Sequence, residues 1–118
     1  MKILFYNHTG QVSGAERVLM MILRGLEGGL YEPVVVCPPA SKMMELARSA
    51  KVETQPLDQL EARFTWRADR VARYLWSFVT VIKNARDLVQ KEQPALIHAN
   101  SIRAGMVMAA ATIGLQVN

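Results

Sequence analysis

The chain has 118 residues, of which 51% are hydrophobic and 20% charged, and its formal net charge is +4. This length supplies one hydrophobic core and leaves no room within these residues for an active site between two domains, while the composition is typical of a folded globular domain. Six of the fourteen cationic side chains lie near the middle of the chain: Arg63, Arg67, Arg70, Arg73, Lys83 and Arg86. Because no nucleic-acid reader motif accompanies them, we expect no nucleic-acid partner.

The single cysteine and the N-terminus indicate the compartment. Cys37 excludes an internal disulfide, and its place after three valines predicts a buried, unreactive thiol in a reducing environment. The apolar run at the N-terminus is too short for a signal peptide, since Asn7 and His8 follow it at once. No stretch reaches the roughly 18 apolar residues of a membrane span. We therefore expect a cytoplasmic protein, with attachment to the inner face of a membrane left open.

Short strand-like runs alternate with helical ones, which is typical of a parallel sheet flanked by helices. The first strand is predicted over residues 3–8. The first helix is predicted over residues 14–27, with Ser13 and Glu16 as a structural cap of the capping-box type and Gly28-Gly29 at its end. Its core-facing stripe is predicted to contain Val18, Ile22 and Leu26, with Leu19 and Leu23 beside them.

The second strand is predicted over residues 32–37, ending at Pro38-Pro39. Ser41 is expected to cap a short helix that reaches residue 50. A weaker third strand over residues 52–55 is placed at the sheet edge. Residues 57–66 lack a clear period, which predicts a loop.

A long helix is predicted over residues 67–92. Its apolar residues recur at spacings of three and four, so they are expected to form one stripe facing the sheet: Val71, Leu75, Phe78, Ile82, Ala85 and Val89. Trp76 lies off this stripe, beside cationic residues. It either packs against the preceding loop at Phe64 and Trp66 or contacts a membrane surface or another anionic partner.

The fourth strand is predicted over residues 95–98 and the last helix over residues 102–113, with Ser101 as its cap and Gly114 at its end. Right-handed crossovers then give the strand order 3-2-1-4. The predicted fold is a Rossmann-like three-layer α/β/α domain with a mainly parallel four-stranded sheet that is incomplete at the strand-4 edge. That open edge predicts either that the chain is the front part of something larger or that it forms a homo-oligomer.

Ligands of open parallel sheets bind at the carboxyl ends of the strands, beside the switch point between strands 1 and 4. The substrate-binding candidates there are Gly10, Gln11, Val12, Ser13 and Gly14 in the first loop, and Asn100, Ser101 and Arg103 at the start of the last helix. The two glycines either admit a ligand or only turn the chain, and both interpretations stay open. Their spacing does not fit G-x-G-x-x-G, which disfavours a dinucleotide-binding or flavodoxin-like protein.

His98 is the candidate catalytic residue, because it is predicted to end a buried strand at the switch point. Its imidazole could donate to a sugar hydroxyl or act in acid-base chemistry, and a plain structural hydrogen bond is the alternative. His8 ends the first strand and is expected to face the same crevice. With two histidines and no nearby carboxylate cluster, we expect no metal site.

Two segments carry a family resemblance. Residues 13–19, Ser-Gly-Ala-Glu-Arg-Val-Leu, resemble the Gly-Gly-Ala-Glu-Arg-Val-Leu signature that opens the first helix of many retaining glycosyltransferases of family four. Residues 97–105, Ile-His-Ala-Asn-Ser-Ile-Arg-Ala-Gly, resemble their His-x-His-Ser segment after the fourth strand. The resemblance covers essentially the whole chain and implies the N-terminal, acceptor-side domain of the GT-B fold. Ser13 departs from the first glycine of the pattern and Asn100 from its second histidine.

This resemblance implies transfer of a sugar from a nucleotide-sugar donor to a sugar or lipid-linked acceptor, with retention and with neither a metal nor another cofactor. It places residues 10–14 near the donor diphosphate or sugar and His98 at the reacting sugar. Donor recognition belongs to the C-terminal domain of such enzymes, so we expect these 118 residues alone to be inactive. The alternative is a free-standing, non-catalytic module that binds an anionic or sugar ligand, or a protein partner.

Overall fold

A computed structural model describes residues 1–59 and 68–117. In this part of the chain four strands alternate with four helices: β1 Lys2–Tyr6, α1 Gly14–Gly25, β2 Glu32–Cys37, α2 Lys42–Ser49, β3 Glu53–Pro56, α3 Ala68–Glu92, β4 Leu96–Ala99 and α4 Ile102–Ala111. All strand pairs are parallel and the sheet order is β3-β2-β1-β4, which confirms the predicted topology.

Helices cover both faces of the sheet, as predicted for a three-layer fold. On one face, Ile3, Phe5 and Val35 pack with α1 and α2. On the other face, Leu4, Tyr6 and Val36 pack with α3 and α4. Successive strand residues alternate between these two cores, which is why the Val34–Cys37 run of β2 is buried throughout. Cys37 is a buried free thiol, and burial raises its pKa.

The predicted caps of α2 and α4 are hydrogen bonds between a serine hydroxyl and the backbone N–H three residues later. The Ser41 hydroxyl accepts a hydrogen bond from the Met44 N–H at 3.2 Å, and that of Ser101 accepts from the Ala104 N–H at 3.1 Å. Both predicted caps are confirmed. Gly114 follows α4 with a φ of 76°, a conformation that suits glycine at the end of a helix.

Several predicted boundaries differ by one or two residues from those of the structure. The strand ends differ because pairing with neighbouring strands, rather than the apolar pattern alone, decides where a strand ends. β1 ends at Tyr6, not at residue 8, and α1 ends at Gly25, not at residue 27. β3 and β4 are each shifted by one residue toward the C-terminus, and α4 ends at Ala111, not at residue 113. As a result, His98 is the third residue of β4 and not its last.

The predicted core stripe of α1 is partly wrong. Leu19 and Leu23 are buried as expected, together with Met20, but Val18 and Ile22 are exposed. The helix is apolar without interruption from residue 18 to residue 23, so its periodicity alone could not select the buried side. Glu16, in the first turn, is buried on the same side of the helix as Leu19 and Leu23.

The predicted stripe of α3 is also partly wrong. Ala85 and Val89 are buried and Phe78 and Ile82 are half-buried, but Val71 and Leu75 are exposed. The helix is longer than the strands that it covers. The 25 residues of α3 extend about 37 Å, whereas the five residues of β1 extend about 17 Å, so part of α3 has no strand to pack against. The predicted start at Arg67 and the contacts of Trp76 with Phe64 and Trp66 lie outside the described residues.

Two polar contacts hold α3 in place, one to the sheet and one to α4. Lys2 Nζ lies 2.7 Å from a Glu92 carboxylate oxygen, which joins the start of β1 to the end of α3. Arg86 Nη1 donates to the carbonyls of Ala111, at 3.0 Å, and Ile113, at 2.7 Å, so it binds the C-terminal end of α4 to α3. None of the described helices is both long enough and apolar enough to cross a membrane.

Candidate functional site

The carboxyl ends of β1 and β4 lie side by side, because the two strands are parallel neighbours with Tyr6 opposite Ala99. The chain leaves β1 through residues 7–13 and leaves β4 through Asn100 and Ser101. These two segments open onto the N-termini of α1 and α4. The structure thus forms the switch point at which the sequence predicted ligand binding.

Asn7 joins the two strand ends and is fully buried. Its backbone N–H donates to the Val36 carbonyl at 2.8 Å, and its side-chain oxygen accepts from the Asn100 amide at 2.8 Å. The Asn7 amide itself donates to the Thr9 carbonyl at 2.6 Å. One side chain therefore contacts both the residue that follows β4 and the first loop. The prediction from sequence missed this residue, although a polar side chain directly after a buried strand at a switch point was a usable signal.

His8 and Ser101 form a second link, with 2.8 Å between Nδ1 and Oγ. Burial lowers the pKa of His8, the charge of Arg103 lowers it further, and Glu16 opposes them. These surroundings favour the neutral form of His8. In the tautomer with Nδ1 unprotonated, the Ser101 hydroxyl donates to His8, and Nε2–H is left to meet an oxygen of a ligand.

Ser13 and Glu16 are hydrogen-bonded to each other at the start of α1, where the sequence predicts the cap. The Ser13 N–H donates to a Glu16 carboxylate oxygen at 2.9 Å, and the Ser13 hydroxyl donates to the same oxygen at 2.5 Å. Burial opposes ionisation of Glu16, but these hydrogen bonds outweigh it, and the pKa of Glu16 lies below its ordinary value. A buried carboxylate thus stands at the start of α1, next to the strand ends.

The two glycines of the first loop differ in their surroundings. A Cβ added to Gly10 would lie 2.6 Å from the Ser41 Cβ, so Gly10 allows the loop to pack on the start of α2. Its carbonyl also accepts from the Met43 N–H at 3.2 Å. A Cβ added to Gly14 would meet nothing within 4 Å, so the first turn of α1 is uncovered there. Gln11 and Ser13 are exposed and Val12 is half-buried.

His98 lies apart from the two interstrand links. Its side chain is exposed, and its ring centroid lies 5.4 Å from that of Phe5, on the α1 side of the sheet. Asn100 and Ser101 are half-buried, and Arg103 is exposed in the first turn of α4. The structure therefore brings Asn100 and Ser101 into direct contact with β1 residues, whereas His98 stands beside them on the open face of β4.

These groups could bind the hydroxyls of a sugar or a negatively charged group. The N–H groups at the starts of α1 and α4 favour an anion, as does the Arg103 guanidinium. Among residues 1–59 and 68–117, no three histidine, cysteine, aspartate or glutamate side chains are grouped so as to hold a metal ion. A groove of about 660 Å³ between the C-terminal halves of α1 and α2 lies at the opposite edge of the sheet, away from this site.

Solved structures share this architecture. HepE from Anabaena, in complex with UDP and glucose, superposes with a TM-score of 0.63 at 20% identity, over 99% of this chain and 28% of that one. MurG from Acinetobacter baumannii superposes with a TM-score of 0.73 at 9% identity, over 98% of this chain and 33% of that one. At these identities the likeness shows the fold. The chain spans a third or less of the length of either protein.

A comparison with curated proteins finds no match in sequence. A family model does match: residues 13–117 fit the glycosyl transferase 4-like domain. The matched region includes both segments on which the resemblance to glycosyltransferases rested, and these segments meet at the switch point. The chain belongs to the glycosyl transferase 4-like domain family.

Proposed function

We propose that this chain is the N-terminal, acceptor-side domain of a GT-B glycosyltransferase that moves a sugar from a nucleotide-sugar donor to a sugar or lipid-linked acceptor with retention. The observation that carries the proposal is the pair of interstrand links, Asn7 to Asn100 and His8 to Ser101. They hold polar groups in place at the sheet edge where such folds bind ligands. The UDP and glucose bound to HepE support a nucleotide-sugar as the donor class.

Each candidate residue receives a role in this proposal. The uncovered start of α1 at Gly14, with the rim formed by Gln11 and Ser13, meets the donor diphosphate or sugar. Arg103 adds positive charge on the α4 side. His98, exposed on the open face of β4, faces the reacting sugar. No metal or other cofactor is assigned a role.

A binding experiment tests the role of the first loop. We expect UDP-glucose to bind the 118-residue chain weakly and to shift backbone NMR signals of residues 10–14 and 98–103. Gly14→Ala should weaken this binding, because a methyl group fills the space left for the ligand. Gly25→Ala is the matched control: it lies in the same helix at the opposite sheet edge and also meets nothing within 4 Å. Equal binding by both variants would remove the first loop from the site.

Activity assays test the rest of the proposal. The 118 residues alone should show no turnover of a nucleotide-sugar, and turnover by them would refute the need for a second domain.

In an enzyme that joins this domain to a nucleotide-sugar domain, His98→Ala should lower kcat about 100-fold or more, which is the range expected when acid-base catalysis is lost. Its melting temperature should hardly change because the ring is exposed. Unchanged kcat would make His98 a structural residue, and binding without transfer in the joined enzyme would favour the non-catalytic module.

A further inference from the structure

The two histidines of the chain contact opposite sides of the sheet. The ring of His98 lies beside β1 on the face that α1 and α2 cover. His8 instead contacts Ser101, the N-cap residue of α4, and α4 covers the other face. The carboxyl edge of the sheet therefore has two halves. We call them the α1 half, with His98 and residues 10–16, and the α4 half, with His8, Ser101 and Arg103.

Ser101 favours one tautomer of His8. The Ser101 oxygen already accepts a hydrogen bond from the Ala104 N–H at 3.1 Å, so its own hydrogen is left for the His8 Nδ1 at 2.8 Å. Nδ1 is then the acceptor, and the hydrogen of neutral His8 lies on Nε2. Within residues 1–59 and 68–117, the hydrogen bonding of the His8 side chain involves Nδ1 alone. The half-buried ring is therefore held in place with an N–H to offer to a ligand.

The charges around His8 differ between the two halves. Burial lowers the pKa of His8, and the guanidinium of Arg103, exposed on the α4 half, lowers it further. In the described part of the chain, Arg103 forms no ion pair with a carboxylate. On the α1 half, the Glu16 carboxylate acts in the opposite direction on His8 and is bonded to Ser13. A negative group of a ligand is thus attracted to the α4 half and repelled by the carboxylate of the α1 half.

We propose that His8 and Arg103 form a subsite for a phosphate group, which accepts hydrogen bonds from the Nε2–H of His8 and from the guanidinium of Arg103. Donors on two neighbouring segments match a group that has several acceptor oxygens, and arginine forms charge-assisted hydrogen bonds with phosphate. A bound phosphate also opposes the effect of the Arg103 charge on His8 and so favours protonation of the imidazole. The α1 half is then left for the uncharged hydroxyls of a sugar.

Two ligands of the proposed reaction could bring this phosphate. The nucleotide-sugar donor carries a diphosphate, and a phosphorylated acceptor carries a phosphate of its own. Assignment to either source rests on the proposed function, whereas phosphate binding by His8 and Arg103 does not. The tests below use the 118-residue chain and need no transferase activity.

NMR of the histidine rings tests the contact with His8. The chain has two histidines, so His8→Gln assigns the ring signals of both. We expect glycerol phosphate to shift the signals of His8 and to raise its pKa, because the phosphate favours the imidazolium. Glycerol, which lacks the phosphate, is the control and should leave His8 unchanged. Unchanged His8 signals, or a larger shift at His98 than at His8, would overturn the proposal.

The affinity measured in the same titrations tests Arg103. Arg103→Gln should weaken the binding of glycerol phosphate about tenfold, because a charge-assisted hydrogen bond is lost. Arg24→Gln is the matched control: it removes the same charge from an exposed arginine at the other end of the sheet, and it should leave binding unchanged. Circular dichroism checks that both variants fold. Equal losses in the two variants would mean that the net charge of the chain attracts the ligand, and would overturn the proposal.

Competition with UDP-glucose identifies the source of the phosphate. If the phosphate belongs to the donor, UDP-glucose displaces glycerol phosphate from His8 and binds more weakly to Arg103→Gln. If it belongs to the acceptor, both ligands bind together, and Arg103→Gln keeps its affinity for UDP-glucose. Either result supports the subsite. Binding of glycerol phosphate through His8 and Arg103 without any binding of UDP-glucose would support the subsite and count against the proposed donor.

Discussion

At the scale of single residues, the site depends on polar side chains that the fold has buried. Asn7 and Glu16 are both largely inaccessible to solvent, and each is satisfied by hydrogen bonds from neighbouring groups. The roles of Ser13 and Glu16 were predictable, because a capping box joins residues three positions apart. The place of Asn7 directly after β1 was a usable signal, but its hydrogen bond to Asn100 was not predictable, since the two residues lie 93 positions apart.

Replacing Asn7 should destabilise the protein. Asn7→Ala removes the acceptor of the Asn100 amide and the donor to the Thr9 carbonyl, and we expect a loss of about 1–3 kcal/mol in the free energy of unfolding measured in urea. Gln11→Ala, at an exposed position of the same loop, should cost less than about 0.5 kcal/mol. A double-mutant cycle with Asn100→Ala should show coupling, and additive losses would mean that the link contributes nothing.

Acid should weaken the protein through Glu16. Because the pKa of Glu16 is lower in the folded state, its stabilisation is complete above the ordinary value of 4.5 and is lost as pH falls through the folded pKa. Glu16→Gln removes the charge but keeps an oxygen for the Ser13 N–H. The variant should therefore be less stable than the parent at pH 7, and the difference should shrink in acid. Thermal unfolding across pH measures this, and a constant difference would contradict it.

At the scale of elements, local signals decide where helices begin, and neighbouring elements decide which side they bury. The caps at Ser41 and Ser101 were predictable because each bonds an N–H three residues away. The buried side of α1 was not, because its apolar run lacks a period. The exposure of Val71 and Leu75 in α3 was not predictable either, because it depends on how far the sheet extends beneath the helix.

The first loop and α2 should be coupled through Gly10. Gly10→Ala places a methyl group against Ser41, and we expect a loss of about 1–3 kcal/mol in unfolding free energy from overpacking. Gly14→Ala, with open space around it, should be neutral or slightly stabilising. In the Gly10→Ala variant, Ser41→Gly should recover part of the lost stability, because it removes the Cβ that the new methyl group meets. Glycine is also tolerated as a helix cap. Equal stability of the two alanine variants would refute the contact.

At the scale of the whole molecule, β4 is an edge strand in the described part of the chain. Leu96 and His98 are exposed on its α1 side, although the corresponding residues of β1, Ile3 and Phe5, are buried. An exposed edge with apolar residues offers unpaired backbone groups to another strand. The expected self-association of the chain through this edge stays a prediction.

Light scattering tests that prediction. The 118-residue chain should show a mass that rises with concentration, and Leu96→Lys should reduce the rise because a charged residue on an edge disfavours strand addition. Leu30→Lys, at an exposed residue of the loop before β2, is the matched control and should leave association unchanged. A monomer at all concentrations would show that this edge does not pair between copies.

The sequence by itself determined the alternation of strands and helices, the strand order, the helix caps and the family, because these depend on periodicity, on residues three positions apart and on short motifs. Only the tertiary structure decided that Asn7 bonds Asn100 and that His8 bonds Ser101. It also decided that Glu16 is buried and that α3 is longer than the strands it covers and leaves Trp76 exposed. These features depend on distances between elements far apart in the chain and on their relative lengths, which no local pattern records.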